Sequence, residues 1–134
     1  MSGFTLKNLM DVEDSAVKFG YSPQLESRFA RGDLETDRVG ISYQRIAPDT
    51  RAPFGHHHRS QEEIYVILGG SGRAKVGDEI VELKRFDALR VAPEVTRAFE
   101  SGPDGLELLA FGSGDNGLQD AEVEPNWWNE DGDT

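Results

Sequence analysis

The stretch FGHHHRSQEEIYVILGGSG, residues 54–72, contains every histidine in the chain. On an extended backbone His56 and His58 project to one side and His57 to the other. Two imidazoles on one side can share one ion. Glu63 follows beyond a turn at RSQ and can return on a neighbouring strand to offer a carboxylate at the same point. Two imidazoles and one carboxylate suit zinc, iron, manganese or nickel. There are no cysteines, so any metal must be held by nitrogen and oxygen and no disulfide framework exists. A solvated histidine loop is the competing reading, and the spacing of His56, His58 and Glu63 argues against it. Tyr65 and Ile67 share parity with Glu63 and should line the same face. A buried phenol seeks a polar partner, which makes Tyr65 a candidate substrate contact, and Ile67 reads as core. Tyr43 lines the cavity in one of its two possible strand registers.

Short strands must position these groups. VGISYQRIAP, EEIYVILG, DALRVAP, TRAFES and GLELLAFG are β-rich and separated by turn residues, and SGRAKVGDEIVEL reads as a hairpin around Gly77-Asp78. Strands at short, regular intervals without long helical patterns between them indicate an all-β sandwich or barrel. YSPQLESRFARG reads as one short helix, with Ser22 as N-cap, Pro23 in the first turn and Gly32 as the stop. Leu25 and Phe29 would share a face of it. The run IYVIL is apolar on both strand faces, so its outer face calls for cover, and a partner subunit is one source. Phe86, Phe99 and Phe111 read as core. Trp127 and Trp128 sit in a polar tail and should dock, on the domain's own surface or on a partner. Gly112, Gly114 and Gly117 have G-x-G-x-x-G spacing, but the acidic LQDAEVEPNWW that follows offers no helix to receive a pyrophosphate, so this reads as a loop.

The histidine stretch resembles the first motif of the cupin superfamily: His, any, His, four residues, Glu, six residues, Gly, here His56, His58, Glu63 and Gly70. VGDEIVELKRFDALRVAPEVTRAF is similar to the second motif. The resemblance runs from about Val39 to Phe111. It implies an antiparallel jelly-roll β-barrel with a site in the barrel mouth, to which the reading of YSPQLESRFARG adds a short N-terminal helical segment. The organisation expected is an N-terminal extension at 1–38, the cupin barrel at 39–112 and an acidic tail at 113–134. A homodimer is expected from the resemblance and from the doubly apolar strand.

One departure matters. Arg97 stands where the second motif carries its histidine, and Val95 replaces the motif glycine. Arginine has no lone pair to give a metal. Three outcomes stay open. His56, His58 and Glu63 hold a metal with several open positions, while Arg97 clamps an anionic substrate. Alternatively, Arg97 pairs with Glu63, no metal binds, and the cavity takes a small molecule. In the third, the site is vestigial and the domain serves in assembly. Cupins with such sites include dioxygenases, isomerases and epimerases, so the resemblance implies a metal-dependent enzyme on a small anionic substrate. The alternatives are a metal-free binding domain or a structural one.

The 134 residues fit one domain with its own core. Net charge is −11; from Asp115 on there are seven acidic residues and no basic one, leaving −4 for the rest. That sign opposes phosphate neutralisation and argues against nucleic-acid binding. No apolar stretch approaches a membrane span and no export signal opens the chain, so a cytoplasmic protein with no membrane partner is expected. The clustered histidines have no nucleophile beside them for a Ser-His-Asp arrangement.

Overall fold

The computed structural model describes residues 3–114 and 120–129. Eight strands are found among them: β1 Leu25–Phe29, β2 Val39–Ile46, β3 Phe54–His58, β4 Glu63–Val76, β5 Glu79–Lys84, β6 Ala88–Val91, β7 Arg97–Ser113 and β8 Ala121–Pro125. Two one-turn helices, α1 Ser15–Lys18 and α2 Arg31–Leu34, flank β1. No helix of the described residues is long and apolar enough to cross a membrane.

All strand pairing is antiparallel, and two long bent strands organise it. The first half of β4 and the second half of β7 lie at the centre of one five-stranded face, ordered β1-β2-β7-β4-β6. Their other halves form the centre of the opposite face, ordered β8-β3-β7-β4-β5. This is the antiparallel jelly-roll barrel that the histidine motif implied. TRAFES and GLELLAFG, expected as separate strands, are one continuous β7 that bends through GPDG.

The corner where β4 passes from face to face is built from glycine. The register with β7 shifts between Ile67 and Gly69 and again between Gly70 and Gly72. Gly70 sits at φ 74, and a Cβ there would lie 2.0 Å from the carbonyl oxygen of Gly105. A Cβ on Gly72 would lie 2.2 Å from the carbonyl oxygen of Glu100. The two long strands cross so closely that a side chain is excluded. Between the faces lies the core, with Ile46, Tyr65, Ile67, Leu83, Phe99, Leu106 and Leu108 buried.

Two readings are corrected, and one left open is resolved. The segment expected as a helix from Ser22 to Gly32 contains strand β1, paired from Leu25↔Ile46 to Phe29↔Ser42. A spacing of four puts Leu25 and Phe29 on one side of a strand as well as of a helix, and the free edge of β2 decides between them. The N-terminal helical turns lie on either side of it. Phe86 is not core: it is 70 % exposed at φ 73 in the β5–β6 turn, with the Arg85 guanidinium 4.4 Å above its ring. Tyr43 points away from the cavity and donates from its hydroxyl to Glu107 at 2.5 Å. Burial, and then the Glu107 carboxylate, push its pKa well up.

The tail docks on its own chain. Trp128 is buried, with the guanidinium carbons of Arg51 and Arg73 at 4.8 and 5.3 Å from its ring. Both arginines also bond Glu100. Trp127 covers Gly55, and Lys75 donates to its carbonyl oxygen at 2.8 Å. The outer side of the β3-bearing face is thereby partly covered, with Ile80 of β5 left 41 % exposed. The outer side of the other face is not: Ile64 is 42 % and Val39 53 % exposed.

Candidate metal centre

The alternation of β3 turns His56 and His58 into the barrel and His57 outward, where Glu122 and Glu124 lie 3.7 and 3.5 Å from its ring nitrogens. Glu63 opens β4 and faces the same interior. The structure thus brings His56, His58 and Glu63 together, with their ligand atoms within 4.8 Å of one another. Glu63 Oε1 lies 3.4 Å from His56 Nε2 and 3.2 Å from His58 Nε2. The two imidazoles meet edge to face at 86°.

His58 is 2 % exposed, and neither of its ring nitrogens has a hydrogen-bond partner. Its Nε2 lies near Glu63 without the alignment of a hydrogen bond. A buried nitrogen left in this way normally costs stability. The geometry is that of neighbouring ligands to a common third atom: bonds of about 2.0–2.2 Å to one cation separate its donors by about 3–3.5 Å. The donor set of two nitrogens and one oxygen therefore fits a divalent transition metal.

Glu63 is fixed from behind. Tyr65, 1 % exposed, donates its hydroxyl to Glu63 Oε1. Gln61 donates from Nε2 to Glu63 Oε2 at 3.3 Å. Burial pushes the Glu63 carboxyl up, but its contacts with His56, His58 and Tyr65 reverse this and hold it well below the usual carboxylate range. Burial and the Glu63 charge raise Tyr65 well above the usual phenol range, so it stays a donor.

Arg97 stands opposite His56 in the β3–β7 register and is fully buried. It forms no hydrogen bond or ion pair with Glu63. Its guanidinium instead donates to three backbone carbonyls: His56 at 3.3 Å, Ala92 at 3.1 Å and Val91 at 3.5 Å. That fork clamps the histidine strand to the segment preceding β7.

Two residues of this site were not legible from the sequence. Gln61 was passed over as part of a turn. Asp120, 3 % exposed, accepts from the backbone N–H groups of Arg59, Ser60 and Gln61 at 3.0, 2.8 and 2.7 Å. Its carboxylate organises the whole connection between His58 and Glu63 and lies 3.9 Å from His58 Nδ1. Burial works to raise its pKa, and the backbone N–H donors hold it below the usual range. This support is present above the ordinary carboxylate range and is lost as pH falls through the lowered value. No local signal marks Asp120, since only the β3–β8 pairing brings it here. Asp120→Asn is expected to weaken metal retention about 10- to 100-fold, as loss of a supporting group does. Calorimetric titration with manganese checks this, and an unchanged affinity would remove Asp120 from the site. Of the G-x-G-x-x-G spacing, Gly112 lies in β7, Gly114 follows it, and Gly117 lies outside the described residues.

The centre opens into a cavity of about 730 Å³. Its floor carries His56, His58, Gln61, Glu63 and Arg97, and its walls are mainly apolar, with Leu25, Phe29, Ile41 and Phe54 among them. Tyr65 is not among the lining residues.

No family model and no curated protein matches the chain. Solved structures do. A cupin protein from Bacteroides fragilis is similar at TM-score 0.68 and 22 % identity, over 87 % of this chain and 88 % of that one. Oxalate decarboxylase from Bacillus subtilis aligns at TM-score 0.76 and 15 % identity over 91 % of this chain, which spans only 32 % of that one. Streptomyces PAC13, solved as a variant with uridine, aligns at TM-score 0.73 and 12 % identity over 93 % of each chain. At such identities the likeness establishes the fold, and the fold is that of a cupin.

Proposed function

With the cupin fold as premise, we propose that this chain is a metal-dependent enzyme acting on a small anionic molecule in the barrel mouth, the cation held by His56, His58 and Glu63. The observation that carries this reading is the buried, unpartnered Nε2 of His58 beside two further donors at ligand–ligand separation. When bound, a divalent ion at such a site supplies Lewis acidity or activates oxygen or water, as in dioxygenase- or isomerase-type reactions. Three protein ligands leave positions open for the ligand.

The chain's own residues do the rest. Tyr65 and Gln61 hold both carboxylate oxygens of Glu63, so its orientation is set in advance. Arg97 is placed behind the ligands, where it braces His56 and adds a buried positive charge. The walls above this floor are mainly apolar and suit the hydrocarbon part of a ligand.

A metal-free binding domain is the second reading, favoured by one observation: His56 Nε2 is within 3.4 Å hydrogen-bond reach of Glu63 Oε1, so the carboxylate has partners without a cation. Elemental analysis of tag-free protein separates the two. About one transition-metal equivalent per chain is expected, and a content near zero after purification in metal-supplemented medium sinks the metal reading.

We also propose a homodimer through the uncovered sheet face around Ile64, Val66 and Val39. The tail tryptophans cover part of the opposite face, and nothing comparable covers this one among the described residues. Ile64→Glu is expected to yield a monomer by sedimentation at micromolar concentration, where the wild type sediments as a dimer. Equal masses would exclude this face.

A further inference from the structure

Besides the two histidines, the charged residues bordering the cavity are Glu26, Arg31, Arg45, Glu63 and Arg97. Arg45 is bonded to Glu26, which Arg28 also bonds. Arg97 is taken up by backbone carbonyls. Arg31, on α2, has no carboxylate or carbonyl partner among the described residues, and its Nη2 is buried and bonded to nothing. The cavity of a strongly acidic chain thus carries a positive balance, with one guanidinium uncommitted.

The sequence makes room for that guanidinium. Gly40 of β2 faces Gly112 of β7, and Gly112 faces Glu63 of β4, so the three form one row across the sheet. The Arg31 guanidinium lies flat on Gly40, with Nη2, Nε and Cζ 2.8, 3.1 and 3.3 Å from where a Cβ would stand. The Gln61 amide lies on Gly112 in the same way, 2.5 Å from its absent Cβ. Gln61 is 7 % exposed, and its Oε1 is likewise bonded to nothing. Two paired glycines therefore form a shelf bearing an unmatched donor and an unmatched acceptor. Paired residues stand about 5 Å apart, so both ends sit within one or two strand spacings of Glu63.

We propose that this shelf is the recognition site for a small hydroxycarboxylate. Arg31 takes the carboxylate, Gln61 Oε1 accepts from the hydroxyl, and the apolar walls take the hydrocarbon part. The guanidinium fork suits a carboxylate, which is acceptor-only and planar. The amide oxygen requires a donor on the ligand, which a plain carboxylate lacks. This deepens the anionic-substrate reading above and rests on it for the ligand's orientation toward His56, His58 and Glu63.

The test is calorimetric titration of the full chain with three probes: mandelate, phenylacetate without the hydroxyl, and mandelamide without the charge. Mandelate is expected to bind best. Arg31→Met is expected to weaken it about 10- to 100-fold, the range for a hydrogen bond to a charged group. Gly40→Ala keeps every charge but puts a Cβ under the guanidinium, and it should weaken mandelate comparably. Gln61→Leu should abolish the preference for mandelate over phenylacetate. Repeating the titrations after chelation separates this inference from the metal reading. Arg31-dependent binding in a chain that never retains metal upholds the shelf and overturns the metal. Binding that needs metal but ignores Arg31→Met and Gly40→Ala overturns the shelf alone. No binding of mandelate by the wild type, loaded or chelated, overturns the shelf as well.

Discussion

His58→Ala is expected to abolish the metal retention proposed for this site and to leave the barrel folded. His58 is the most deeply buried of the three ligands, and its imidazole serves no other partner. Removing a ligand should cost more than the roughly 10- to 100-fold lost with a supporting group. The effect is read in two ways. Elemental analysis should fall from about one equivalent to background. Thermal unfolding of the wild type with metal at about a hundred times its Kd should gain roughly 2.7 kcal/mol, about 10 °C for a chain this size, while the variant gains nothing. A His58→Ala protein with wild-type metal content would place the metal elsewhere and dismantle the proposed centre.

Gly70→Ala is expected to cost about 2–5 kcal/mol, combining about 1–2 for left-handed backbone with about 1–3 for overpacking. Against a typical stability of about 5–15 kcal/mol this leaves a marginal fold. The reason is the corner described above: the new methyl would stand 2.0 Å from a backbone carbonyl, which cannot swing aside as a side chain could. Gly114→Ala is the control. Gly114 has φ 88 with nothing within 4 Å of a Cβ, so only the backbone part of the cost applies there. Urea unfolding of both variants separates the two contributions. Equal losses would show that the close approach of β4 and β7 relaxes freely.

What was legible beforehand follows the range over which each constraint acts. His56, His58, Glu63 and Gly70 lie within fifteen consecutive positions; strand parity puts the two histidines on one side, and the turn at RSQ lets Glu63 return beside them on the next strand. Metal-ligand chemistry is demanding in spacing and residue type, so such a pattern seldom arises from packing. The all-β class was readable for a similar reason, from alternation and turns that are local, while the jelly-roll barrel itself was implied by the motif resemblance. Leu25–Phe29 misled because its spacing satisfies both periods, and only the distant β2 edge resolves it. Phe86 was read by residue type, yet its turn sets it outside. Arginine chemistry alone argues against a ligand's role for Arg97, but which acceptors it finds depends on carbonyls of β3 and the β6–β7 connection. Asp120 and Arg31 gave no signal. One acts across a strand pairing and the other through a space left by a glycine on another strand.

The pairing of β3 has a further consequence. This strand shares one ladder position with β7 and five with β8, and Asp120 ties the next loop to the same tail. The strand carrying both histidines is therefore held largely by the chain's C-terminal segment. Peeling β8 away would loosen two of the three ligands at once, so escape of a bound ion becomes a local unfolding event of the tail. The residence time of anything at the centre is then governed at the end of the chain: a ligand should slow amide exchange along Ala121–Pro125, and a protease that trims this segment should discharge the site before it damages the barrel.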